Sequence, residues 1–222
     1  MTKIPIQLEL ITTVSEFEKM MLQSIRDIFN VALPKVAPEV QKDLQRNLTR
    51  VFTETRVYDG LINGPLNAHF GFEKGSEDAR VDAILFALAK SIRVRPIRVA
   101  VRGKRLTGGL RIEMFTGDFR DLLSLSEAVV INRGVSLPWL QWLLKEGDRI
   151  IIDDFKIDFN KHPRSRSGEA IMVHDPSRVW RVPVGASGTE KDNWITNAVD
   201  KGLGFIEKVA SRSIDRHLDR IL

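Results

Sequence analysis

The sequence predicts an α+β fold with N-terminal helices, a central and mostly antiparallel sheet containing a hairpin, and a long C-terminal helix. Three observations carry this. Apolar residues recur at helical spacing between Phe17 and Phe52, and again from Trp194 to Ile221. Between these stretches, from Ile92 to Val184, apolar and polar residues largely alternate. The 222 residues contain no tandem repeat and no linker-like stretch, so one domain over 1–222 is expected. Within it, 1–57 forms a helical front end, 92–184 a sheet with inserted helices, and 193–222 the C-terminal helix.

At the N-terminus, Ile4, Ile6, Leu8 and Leu10 alternate with Gln7 and Glu9, which predicts a short strand or an extended arm. Ser15-Glu-Phe-Glu18 is a capping-box signature, and Phe17, Met21, Ile25, Ile28 and Phe29 then define a helix expected to stop at Pro34. A second helix is expected from Pro38, because proline is tolerated in a first turn. Its apolar stripe is Val40, Leu44, Leu48, Val51 and Phe52, with Lys42, Asp43, Arg46 and Arg50 toward water. Gly60, Gly64, Pro65, Gly71 and Gly75 mark 58–75 as mostly turns. Ser76 then caps a third helix with Val81, Ile84, Leu85, Leu88 and Ile92 on its inner face.

The sheet region opens with Ile92, Val94, Ile97, Val99 and Val101, interrupted by Arg93, Arg95, Arg98 and Arg102. The alternation slips by one residue at Pro96, which predicts an edge strand with a bulge. Lys104 to Gly109 is expected to turn the chain, and Leu110, Ile112 and Met114 return as the partner strand. A short helix is expected over 118–127 and another from Ser136-Leu-Pro-Trp139 to Gly147. Strands follow over 149–159, 169–173 and 178–184, and in the C-terminal helix Gly202 and Gly204 are candidate kink positions.

Composition excludes several chemistries. There is no cysteine, so disulfides, thiol catalysis and Cys-bearing zinc or iron–sulfur sites are out of reach. His69, His162, His174 and His217 are scattered, with no H-x-x-x-H pair to place two ligands on one helix face. No cofactor is expected. No apolar run approaches the roughly 18 residues that span a bilayer. The first ten residues lack the apolar block of a signal peptide, so a cytoplasmic protein without membrane partners is expected. The net charge of +5, from 34 Lys+Arg against 29 Asp+Glu, permits an acidic partner without demanding one.

The sharpest enzymatic pattern is Asp154-Phe-Lys156, with Asp148 at the head of the same strand. Carboxylates beside a lysine are how PD-(D/E)xK nucleases hold a divalent ion and orient the attacking water. The pattern is three residues long, and alternation that puts Asp154 and Lys156 on one face equally describes a solvated surface. His174-Asp175, with Ser165, Ser167 and Ser177 nearby, reads as a polar turn closed by Pro176 rather than a catalytic triad, because no G-x-S-x-G elbow exists. Residues 103–109 hold three glycines but neither the order of a phosphate loop nor a following helix. The arginine band of Arg93, Arg95, Arg98 and Arg102, extended by Lys104 and Arg105, has two readings. It suits a solvated or inter-subunit face that discourages edge pairing, or a contact with nucleic-acid phosphates. No aromatics interleave, so base stacking is not expected. Of Trp139, Trp142, Trp180 and Trp194, three are expected in the core, and one of the first two near the edge of its apolar stripe.

The C-terminal third carries a resemblance. Trp180-Arg-Val-Pro183, Gly188-Thr189 and Asn193-Trp-Ile-Thr-Asn-Ala-Val-Asp200 resemble the C-terminal signature of tailed-phage neck, or head–tail joining (tail-completion), virion structural proteins. The stretch 58–71 is similar to that family's loop between its first helices and its sheet. Residues 137–148 and Ser165-Arg-Ser-Gly168 resemble a subset of virion structural proteins, whereas the helical stretch 118–147 departs from the usual family pattern. The resemblance implies no catalysis. It implies a homo-oligomeric ring, hexameric or dodecameric, in the neck of the virion and assembled in the host cytoplasm. Its partners would be the portal/adaptor and tail-terminator or tail-tube proteins, around a DNA channel. Arg93, Arg95, Arg98, Arg102, Arg105, Trp180 and Trp194 are the expected interaction residues.

Overall fold

The spine of the molecule is helix α1, Val14–Asn47, in a computed structural model that describes residues 13–114, 118–147, 149–160 and 162–220. The predicted arm at Ile4 to Leu10 and the candidate ligand Asp148 lie outside the described residues. The capping box forms two residues earlier than expected: Thr13 caps, and the Glu16 carboxylate accepts from the Thr13 amide at 2.9 Å. Instead of ending at Pro34, the helix runs through both Pro34 and Pro38. A proline inside a helix costs about 3 kcal/mol because it removes a hydrogen bond and crowds the preceding turn. Here both prolines, four residues apart, lie on the exposed side, where the freed carbonyls face water. The opposite side buries Leu33, Val36, Val40 and Leu44. Each such burial is worth about 1.5–3 kcal/mol, which outweighs the local cost.

Short helices α2, Thr49–Thr53, α3, Arg56–Ile62, and α4, Pro65–His69, follow. The glycine-rich stretch expected as turns is therefore partly helical: Thr55 caps α3, and Pro65 occupies the first turn of α4. Helix α5, Glu77–Ser91, buries the predicted face of Val81, Ile84, Leu85 and Leu88. Further along are the single-turn α6, Arg120–Leu123, and α7, Trp139–Lys145. Helix α8, Trp194–Leu218, is closed at its start by Asn193, whose Oδ1 accepts from the Ile195 and Thr196 amides.

Among the described residues the strands form three separate two-stranded antiparallel ribbons: β1, Arg93–Arg102, with β2, Arg105–Glu113; β3, Val130–Asn132, with β4, Val135–Leu137; and β5, Ile152–Asp158, with β6, Ile171–Trp180. The β1–β2 turn is only Gly103-Lys104, shorter than expected, with Gly103 at φ 61°. The predicted bulge is present, two residues beyond Pro96: Ile97 pairs with Gly109 and Ala100 with Thr107, so Arg98 and Val99 together oppose Gly108. A side chain at Gly108 would place its Cβ 2.6 Å from the Arg98 carbonyl oxygen, so only glycine fits against the bulge. The third ribbon merges two predicted strands into β6, and the expected polar turn at 174–177 is a four-residue excursion, 175–178, opposite Asp154 alone.

Helix α1 closes the free edge of β1 with side chains. Asn30 accepts from the Val99 amide at 2.8 Å and donates to the Val99 carbonyl at 3.0 Å. Gln41 accepts from the Val94 amide at 3.0 Å, and Gln45 donates to the Ile92 carbonyl. On another side α1 meets α8, where Ser213 and Arg216 both reach Asp43. Gly202 lets α8 approach α2 rather than kinking the helix, since a Cβ there would sit 2.4 Å from Val51. Buried residues from Val36 to Ala210 form one continuous core that includes all four tryptophans.

Candidate functional site

Cross-strand partners share a face of a ribbon, and β2 supplies an uninterrupted ruler. Its odd-numbered residues Arg105, Thr107, Gly109, Arg111 and Glu113 stand opposite Arg102, Ala100, Ile97, Arg95 and Arg93. One face of the ribbon thus carries Arg93, Arg95, Arg102, Arg105 and Arg111, against Glu113 alone. The bulge makes this possible. Without its extra residue, Arg102 would point away from Arg93 and Arg95, and Val101 would leave the face it shares with Val94. Arg98 sits on the bulge itself. Sequence reading missed Arg111, whose place on the face follows only from the strand register.

Glu113 lies 3.5 Å from Arg95 and 4.0 Å from Arg111. These are exposed pairs of the kind worth at most about 1 kcal/mol. Arg93 donates to the Lys90 and Ile92 carbonyls. Lys104 reaches back to Glu18 of α1 at 2.9 Å. Among the described residues Arg98, Arg102 and Arg105 form no ion pair.

A second exposed feature lies on α1. Val14, Phe17, Met21, Ile28 and Val31 are all exposed, from 44% to 77%. With Ser24 they occupy positions 14, 17, 21, 24, 28 and 31, the alternating three–four spacing of a coiled-coil seam. Burial on α1 begins in earnest at Ala32, so the first half of the helix presents this seam outside the core. A seven-residue period was legible in the sequence, but the same residues also fit an inward helical stripe.

Trp180 and Trp194, expected at an interface, are core residues with 4% exposure each. Their indole N–H groups find internal partners, which lets the rings bury fully. Trp194 donates to Thr55 Oγ1 at 2.8 Å and Trp180 to His69 Nδ1 at 3.1 Å. Burial holds the His69 imidazole below its usual range, and the neutral ring with its proton on Nε2 is the form that accepts from Trp180. Trp139 is fully buried, and Trp142, at 9%, is the one nearest the edge. Trp142 and Trp180 form part of the floor of an open groove of about 660 Å³ whose rim carries Arg133, Arg164 and Arg166. Arg166 is already engaged with Glu73 and the Ile131 carbonyl.

The one strand face expected to carry both Asp154 and Lys156 is not formed. Asp154 adopts φ 62° opposite the β6 excursion, so the simple alternation with Lys156 is broken. Lys156 instead pairs with Asp175 at 3.0 Å. Among the described residues no three His, Cys, Asp or Glu side chains are grouped to hold a metal ion. Nor do the serines meet His174. Ser177 donates to Asp175, Ser165 to the Ala170 carbonyl, and the His174 ring packs edge-on against Phe155 at 5.4 Å.

Asp175 organises the β6 excursion. Hydrogen bonds from the Ser177 hydroxyl, then the Lys156 ammonium and the Ser177 amide, hold its carboxyl at about 2. The depressed value means that the stabilisation is complete above the ordinary carboxylate range and is lost as pH falls from about 4 through 2. A carbon-13 carboxyl titration is expected to find Asp175 with a midpoint near 2, and Ser177→Ala is expected to raise it. An unchanged midpoint in that variant would assign the shift to Lys156.

No protein-family model, curated protein or solved structure matches the chain. Among the described residues no helix is long and apolar enough to cross a membrane.

Proposed function

We propose that the chain is a non-enzymatic virion structural protein of the tailed-phage neck. In this reading it forms a hexameric or dodecameric homo-oligomeric ring that joins the portal/adaptor complex to the tail around the DNA channel. The observation that carries the reading is the bare heptad seam of α1: Val14, Phe17, Met21, Ile28 and Val31 spend apolar surface on solvent in the isolated chain. An exposed a/d stripe is matched by another helix. Two and a half heptads make a weak pair on their own, and repetition around a closed ring supplies what one contact lacks. The resemblance of the segment from Trp180 to Asp200 supports the same reading, and its residues are folding residues: a buried strand end, a turn and a capped helix start. The ring acts mechanically, matching two assemblies in shape and symmetry.

Light scattering after gel filtration, with negative-stain images, tests this. The wild type is expected to yield closed rings of six or twelve copies. Phe17→Glu with Met21→Glu and Ile28→Glu is expected to reduce them to monomers with an unchanged Tm, because the monomer buries none of the three deeply. A wild type that stays monomeric at every accessible concentration, alone and with neck partners, would overturn the reading.

A further inference from the structure

The net charge of the β1–β2 ribbon, +6, exceeds the +5 of the whole protein. Residues 93–113 contain six Arg and Lys104 against Glu113, leaving 27 cations and 28 anions in the rest of the chain. We infer that the arginine face of this ribbon binds the phosphate backbone of double-stranded DNA without reading its sequence.

Four observations converge on that partner. First, the bulge sets Arg93, Arg95, Arg102, Arg105 and Arg111 on one side of the ribbon, and Asn30 and Gly108 fix the bulge in place. Second, the ribbon is about 33 Å long at roughly 3.3 Å per residue, close to one turn of B-DNA, so the arginines at its two ends can meet phosphates along one helical repeat. Third, the groups are guanidinium forks, suited to bidentate phosphate contacts, and the segment has no aromatic residue for base stacking. Fourth, the other 201 residues carry a net charge of only −1, so the rest of the chain does not balance the +6 of the ribbon. A duplex, with one charge per roughly 1.7 Å of axis, supplies the balancing charge. The inference stands on the ribbon alone, so a protein that forms no ring leaves it intact.

Fluorescence anisotropy with a 30-base-pair duplex of mixed sequence, over a salt series, tests it. Five phosphate contacts give a log–log salt slope of about −4.5, and Arg95→Gln with Arg102→Gln and Arg105→Gln is expected to flatten it by about 2.7. Arg56→Gln with Lys191→Gln and Arg212→Gln, an equal loss of charge at exposed positions off the ribbon, is expected to keep the slope. Glu113→Gln, which removes the one anion of the face, is expected to tighten binding, and this gain does not depend on how the triple variant folds. The inference is overturned by absence of salt-dependent binding in the wild type, by equal losses in the two triple variants, or by weaker binding of the Glu113 variant. Equal affinity for poly-glutamate of matched length would also overturn it, assigning the face to an acidic protein.

Discussion

Trp139→Ala is expected to destabilise the protein by about 3–5 kcal/mol, a large part of the 5–15 kcal/mol that holds a typical domain folded. The indole has no exposed surface and lies edge-on to Phe72 at 5.0 Å and tilted against Phe70 at 5.8 Å. Its Nε1–H donates to the Glu127 carbonyl at 2.7 Å, tying α7 to the turn before β3. Truncation empties that volume among rigid neighbours. Trp139→Phe is expected to cost less, because it keeps a ring and because Arg80 also donates to the Glu127 carbonyl. Urea midpoints for the three proteins check the ranking; an alanine variant within 1 kcal/mol of wild type would show that the core collapses around the gap.

Asn30→Ala is expected to cost about 2–4 kcal/mol, although it removes only one partly buried amide. Val99, at the bulge, has neither a ladder partner nor solvent, with 6% exposure. Both of its main-chain groups are met by the one side chain, so the alanine variant orphans a donor and an acceptor together. Amide exchange at Val99 is expected to accelerate by more than the loss of global stability explains. Wild-type protection there, with stability inside 0.5 kcal/mol, would show that another group replaces Asn30. Asn30→Asp tests the geometry: its carboxylate accepts from the amide but repels the carbonyl, so it falls between wild type and alanine.

The helical faces were legible in the sequence wherever one period dominated. Val81, Ile84, Leu85 and Leu88 of α5, and Val40, Leu44, Leu48 and Phe52 of the first helices, lie inside as predicted. Reading failed where a local rule was overruled by packing. Pro34 and Pro38 signal a break, but both fall on the wet side of α1 while the opposite side is locked into the core. Strands of three residues, as in β3 and β4, are too short for alternation to register, and the turn between them places Arg133 as well as Gly134 at positive φ. The arginine band was visible as composition, yet its membership depended on register: Arg111 joined and Arg98 moved to the bulge. The tryptophans were misjudged at 180 and 194 because an indole reads as an interface anchor until Thr55 and His69, 139 and 111 residues away, are seen to satisfy it. The seam of α1 was masked by its neighbours, since Ile25 and Phe29 complete an ordinary amphipathic stripe on the same helix.

The concentration of charge in one ribbon also makes the molecule electrically lopsided. A body of net charge −1 carrying a ribbon of net charge +6 presents one strongly positive face, and such a face is drawn toward a polyanion before contact is made. Orientation is then selected during approach rather than by trial docking. That guidance acts over about 8 Å at physiological ionic strength and about 30 Å at 0.01 M. Association rates with anionic assemblies are therefore expected to fall steeply with added salt while dissociation rates change far less.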